Sequence, residues 1–298
     1  MSPKKSAPQN TGDDAVRVSV KKTYKLYVGG KFPRSESGLT FEPSGAPGVN
    51  VAQASRKDLR DAIVAARAAL PGWSGRTGYN RGQILYRLAE IIETRAAALV
   101  AEIRAGSAKT QAAAEREVEA AIDLVTWYAG LPDKLQQLLG SQNEVSGPFF
   151  NFSAVEPTGV ICAVAPESPS LLGALAVSVP LIAGGNTVVL LLSEASPLVG
   201  LALGEALAVS DVPGGTINLL AGHRSDLLPH MSSHRDVDGL LLAGEPDSAA
   251  GAAAADSVKR VRWAKLSERD WSRLDKLTSL HWVRPFVEVK TIWHPKAP

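Results

Sequence analysis

Three kinds of side chain in this sequence have the chemistry to act on a substrate: a thiol, a pair of imidazoles and a few isolated carboxylates. The lone cysteine, Cys162, would need to ionise to serve as a nucleophile. It lies inside Gly159–Val164 (GVICAV), an unbroken apolar run, where a thiol behaves as a small buried hydrophobe. His230 and His234 stand four apart and could share a helix face, as metal ligands do, but no third ligand lies near them in sequence. They read as surface residues. Glu268 sits in a charged stretch and reads as a solvated helix residue. One cysteine also rules out an intrachain disulfide and a cysteine-rich zinc site.

The elements that must position such groups follow from the hydrophobic pattern. Of 298 residues, 45% are hydrophobic and 21% charged, enough to bury a sizeable core. The net charge of +2 is spread along the chain, which argues against a nucleic-acid partner. No apolar run reaches the length of a membrane span, and no signal-like core follows Lys4 and Lys5, so a cytoplasmic protein is expected. Residues 1–22 are polar and read as a flexible tail. Tyr24–Phe32, with Gly29-Gly30, carries a strand–turn–strand signal. Ser55, with Asp58 three residues on, opens a helix that Pro71-Gly72 should end. Longer helices are expected over 80–105 and 111–129.

From Phe149 onward the pattern alternates. Strands are expected at 149–154, 159–164, 187–192, 216–220 and 239–242, with a further one over 259–266. Helices fall at 171–182, 198–209 and 227–233, and a charged connecting helix at 267–279. Alternation of this kind predicts an α/β fold: a parallel, Rossmann-like sheet with helices on both faces, preceded by a helical segment. Pro285–Trp293 alternates apolar and polar residues and reads as a terminal strand.

Several segments, taken in order, resemble the aldehyde dehydrogenase superfamily. They are LYVGGKF, ASRKDLRDAIVAARAALPGWS, RGQILYRLAEIIETRAAALV, EPTGVICAVAP, IAGGNTVVLLLSE, DVPGGTINLLAG and SSHRDVDGLLLAG, with FVEVKTIWHP at the end. The resemblance covers Tyr24–Leu266 and the last dozen residues. It implies a dinucleotide-binding-type domain over 23–266, an oligomerisation arm using 141–156 and 285–298, and a linker at 267–284. Only about 20 residues separate Leu266 from Val287, too few for an α/β catalytic domain. The chain is similar to the non-catalytic half of two-part, family-16-type members.

The resemblance also locates what the family's chemistry needs. The nucleophile belongs to the missing region. The base position falls on Ala264, which cannot take a proton, and the oxyanion donor's place is held by Ser168. Of the family's ribose-anchoring pair, Glu194 is present and the lysine is Leu191. Ser193, Glu194, Gly222 and Gly244 are the vestigial cofactor-binding candidates; no catalytic or metal residue is assigned. At the pyrophosphate turn, Glu245 and Asp247 would repel an anion. The expectation is therefore no cofactor, NAD(P) if any, and no turnover. The arm implies a homo-oligomer, or a hetero-oligomer with a complete aldehyde dehydrogenase, because the unpaired strand from Phe286 to Trp293 and the uncovered sheet end leave apolar surface exposed. A dinucleotide-binding oxidoreductase is the alternative, and an oxidoreductase completed by a partner's nucleophile a third reading.

Overall fold

A computed structural model describes residues 22–296. All but Lys22 of the stretch read as a tail lies outside the described residues. The chain opens with two two-residue strands, β1 (Thr40–Phe41) and β2 (Val51–Ala52). The hairpin expected over 24–32 is only partly formed. Gly29 and Gly30 take positive φ and make the turn, closed by the Val28–Lys31 bridge. The flanks then part: Tyr24 bridges to Val51, and Tyr27 to Leu219.

Helices α1 (Arg56–Ser74), α2 (Gly78–Thr94), α3 (Ala96–Ala105) and α4 (Gln111–Ala129) follow. Ser55 and Asp58 form a reciprocal capping box on α1. The helix runs past Pro71, contrary to expectation, because Trp73 is fully buried and its indole N–H donates to the Ile182 carbonyl at 3.0 Å. The single helix expected over 80–105 is two, broken at Arg95, whose backbone is not helical (φ −99°, ψ 8°). The break turns α3 so that it packs on both α4 and a later helix, α7.

After a short α5 (Leu135–Leu139) come β3 (Ser141–Asn143), β4 (Phe149–Pro157) and β5 (Val160–Val164). Then α6 (Ser170–Ala183), β6 (Thr187–Leu191), α7 (Leu198–Val209), β7 (Ile217–Leu220), α8 (Arg224–Ser233), β8 (Gly239–Ala243), α9 (Ser248–Ala255) and β9 (Arg260–Ala264) alternate as predicted. The five strands make a parallel sheet in the order β7-β6-β5-β8-β9. Every residue of β5, β6, β7 and β8 is buried, as their continuous apolar sequences require.

The segment 267–284 is neither a continuous helix nor a loose connection. It forms α10 (Leu274–Leu277) and brief 3-10 turns at Asp270–Ser272 and Leu280–Trp282. Trp271, Leu277, Trp282 and Val283 are buried, with Phe286 just beyond. Their spacing fits no single helical face, so the backbone winds to bring each one inward. The two indoles pack with centroids 5.6 Å apart, and the Arg262 guanidinium lies over Trp282. The Tyr128 hydroxyl donates to the Leu277 carbonyl at 2.7 Å. Apolar surface expected to lie open on this flank is thus covered by the chain itself.

The last strand, β10 (Val287–Pro295), pairs antiparallel with β4 from Val287↔Pro157 to Pro295↔Phe149. With β3 it makes a three-stranded arm in the order β10-β4-β3. Phe286 and Val287, expected on the exposed part of this strand, are buried at its root; Val289, Ile292 and Trp293 are exposed.

Candidate functional site

In an open parallel sheet, ligands settle beyond the strand C-termini where the strand order reverses. Here that point lies between β5 and β8. A cleft of about 310 Å³ opens there, lined by Pro166, Glu167 and Ser168 after β5, Gly244 after β8, Arg224 at the start of α8, and Trp271 and Glu268 from the winding segment. Glu268 is exposed, as expected, but stands in a turn and not in a helix.

Several polar groups of this crevice are bound to one another. The Glu167 carboxylate accepts from the Ser193 hydroxyl at 2.9 Å and the Ala195 N–H at 2.9 Å. The Ser193 hydroxyl oxygen in turn accepts from the Ser196 N–H. Glu194 sits 2.6 Å from His223 Nδ1 and accepts from the Arg224 N–H at 3.2 Å. The Arg224 guanidinium donates to the Ala243 carbonyl at 2.8 Å, lying over Gly244. The loops after β5, β6 and β7 and the end of β8 are thereby stitched together by side chains.

Two of the four helix N-termini at this end, those of α9 and α6, are capped internally as well. Asp247 caps α9, accepting from the Ala249 and Ala250 N–H groups at 2.9 and 3.0 Å. Glu245 is paired with Lys265 at 2.7 Å. Helix α6 has no cap of its own; Glu117, on α4, supplies one by accepting from Leu171 N–H at 2.7 Å and Leu172 N–H at 3.3 Å. Glu117 is 5% exposed and also holds Lys109. A carboxylate at that terminus cancels the partial positive charge an anion would seek.

Of the sequence-predicted cofactor residues, Ser193 and Glu194 reach the crevice through Glu167 and Arg224, and Gly244 lines it. Gly244 has φ +105°, which explains glycine without a ligand. Gly222 packs against Ala54 and Leu227, away from the cleft lining. Leu191 is buried in β6. A dinucleotide's pyrophosphate would meet Asp247 and Glu245 in place of free amides, so the residues present do not suit that group. Ala264 is buried and its carbonyl accepts from the Gly244 N–H.

Cys162 is fully buried, and burial pushes its thiol up to about 12. His230 and His234 line a separate cleft with Arg56 and Arg60; His234 is held below the ordinary histidine range, first by desolvation and then by the cations around it, the acid Asp236 opposing. No group of three or more potential metal ligands occurs among the described residues.

Sequence reasoning missed the roles of Glu117, His223 and Arg224. Glu117 carried a signal: an acid on the same helical face as Ala114, Ala121 and Leu124 must be paired once that face is buried. His223 and Arg224 gave none.

A sequence model described as the aldehyde dehydrogenase family matches residues 16–264. The match begins inside the stretch read as a tail. An aldehyde dehydrogenase of Aspergillus niger is 32% identical over 246 residues, 79% of this chain and 48% of that protein. The cytosolic aldehyde dehydrogenase 1 of Elephantulus edwardii is 30% identical over 250 residues, 80% of this chain and 49% of its own length. Among solved structures, the betaine aldehyde dehydrogenase of Staphylococcus aureus in complex with NAD+ superposes with a TM-score of 0.75 at 26% identity, covering 81% of this chain and 49% of that one. The chain therefore belongs to the aldehyde dehydrogenase family, and it spans about half the length of the curated relatives it matches.

Proposed function

We propose that this member of the aldehyde dehydrogenase family is a non-catalytic subunit that assembles, through its arm, with another dehydrogenase-like chain: a second copy of itself or a full-length member. The observation that carries this reading is the arm. Strand β10 stands at the outer edge of its sheet, and Val289 and Trp293 are 60% and 56% exposed. An edge of this kind is a ready template for a further strand.

The non-catalytic half of the reading is supported by the chemistry at the crevice. A thiol with its ionisation pushed to about 12 supplies no thiolate near neutral pH. The resemblance places the family's base on Ala264, whose methyl group cannot activate water. Glu194, the acid the resemblance assigns to a ribose, is instead engaged with His223 and the Arg224 N–H. No bound cofactor is proposed.

The test is light scattering on the purified chain, alone and mixed with a full-length aldehyde dehydrogenase from the same source, with Val289→Pro alongside. Association in either sample that is weakened by Val289→Pro is the expected result. A monomer in both samples overturns the reading. The alternative, a dinucleotide-dependent oxidoreductase, rests on the cleft at the switch point; calorimetric binding of NAD or NADP in the micromolar range, with NADH formed from an aldehyde by the chain alone, would establish it instead.

A further inference from the structure

We infer that the open edge of β10 is built to pair with itself, as a two-fold antiparallel contact between two copies of this chain centred on Thr291. This rests on the arm being the assembly element and names its occupant and register.

The hydrogen bonds at the two ends of the β10–β4 ladder set which residues face outward. Thr158 N–H donates to the Phe286 carbonyl at 3.3 Å, and Lys296 N–H donates to the Pro148 carbonyl at 2.7 Å. These bonds and the unbroken register between them make the even-numbered residues of β10 bond inward, to β4. Antiparallel alternation then turns the N–H and C=O of Val289, Thr291 and Trp293 toward the open edge. The window has defined limits. The Val287 carbonyl is already taken by the Arg260 guanidinium at 2.7 Å, and Pro295 has no N–H to give.

A two-fold axis at Thr291 sets Thr291 against itself and Val289 against Trp293. Every outward N–H and C=O within the window then meets a complement. The side chains agree. Valine opposite tryptophan is a favourable β-branched–aromatic pair, and Glu288 falls opposite His294. Lys290, which otherwise would guard the edge, is held by Glu156 of its own arm and faces Ile292, not another cation. The neighbouring registers are worse. Centred on Lys290, the contact opposes two lysines; centred on Ile292, it sets Val289 against Pro295 and leaves that valine's carbonyl without a donor. The closed, isologous contact at Thr291 uses up the edge and stops at two chains.

The register gives a direct test. Thr291→Cys places two thiols on residues whose Cα atoms are about 5.5 Å apart in a directly opposed hydrogen-bonded pair, within disulfide reach. Cys162 is buried and does not compete. With oxidised glutathione as oxidant, Thr291→Cys is expected to convert to a covalent dimer on a non-reducing gel. Glu288→Cys alone should stay single, but should cross-link when mixed with His294→Cys. Equal cross-linking of Thr291→Cys and Glu288→Cys, or none by Thr291→Cys in a sample that light scattering shows to be dimeric, overturns the proposed register. If such a dimer is still dispersed by Val289→Pro, arm-based assembly stands without this register; if Val289→Pro leaves it intact, both readings fall.

Discussion

The crevice and the arm treat their polar groups in opposite ways. At the crevice Glu167, Ser193, Glu194, Arg224 and Asp247 bind one another or nearby backbone. At the arm, a strand bonded along one side presents its other side to solvent. A folded chain that ties up polar groups at its crevice and leaves a row of backbone groups open along its arm is what the proposed role, recognition through the arm, requires. Hydrogen-bonding capacity left unused is a better guide to the working surface than the fold's ancestry.

The contrast can be broken most sharply at the flank of the crevice. Trp282→Ala should cost about 3–5 kcal/mol, because a buried indole packed on Trp271 and under Arg262 leaves a large cavity. Thermal denaturation reads this directly, and an unchanged midpoint would mean that the winding segment is only draped over the body. Glu117→Ala should cost about 2–3 kcal/mol by stripping the cap from α6 and stranding Lys109. Glu117→Gln should cost less, since an amide oxygen still accepts from Leu171 and Leu172. Denaturant midpoints of the pair separate capping from mere burial.

Smaller effects sharpen the comparison. Arg224→Ala removes a crevice tie worth about 1 kcal/mol and opens space over Gly244. Titration with NAD should nevertheless stay flat, because Asp247 and Glu245 remain. Tight binding by this variant would show that one guanidinium alone had closed the site. Val289→Pro should change stability by less than about 1 kcal/mol, since its N–H points away from β4. Its dissociation constant for assembly should rise at least about tenfold, with one hydrogen bond lost and one ring clash introduced by each copy that carries the proline. The smallest expected effect is none: native Cys162 should resist a thiol reagent at pH 8. Its folded ionisation lies near 12, above the ordinary value of 9.0. The unfolded chain therefore gives up the proton first as pH rises, so this thiol contributes stability below pH 9 that drains away from 9 toward 12. Rapid labelling at pH 8 without loss of structure would mean that β5 opens readily.

Four strands of the sheet, β5 to β8, were legible because each is a short apolar run, and burial on both faces demands that pattern. Cys162 could be placed for the same reason. The capping box on α1 was written in Ser55 and Asp58. What escaped depended on long-range partners. No local pattern says that Tyr27 will bridge to Leu219 in place of closing its own hairpin, or that Trp73 will carry a helix past Pro71. The segment 267–284 was misread because its inward residues obey no repeat; they follow the shape of the surface they cover. In the candidate site, the positions of Ser193, Glu194 and Gly244 were foreseeable, while the grip of Glu167, His223 and Arg224 on their surroundings required the loops of four strands to be brought together first.

The root of the arm has a mechanical meaning. Arg260, at the start of β9, donates to the Pro285 and Val287 carbonyls and pairs with Glu288, while the buried Asn186 amide holds the Phe286 carbonyl and accepts from Gly159. A pull on the tip near Trp293 is therefore carried into both halves of the parallel sheet and not absorbed by a swivel. Two bodies joined tip to tip through such stiff booms would hold a set distance and angle, so an arm that joined chains would act as a spacer as much as a fastener.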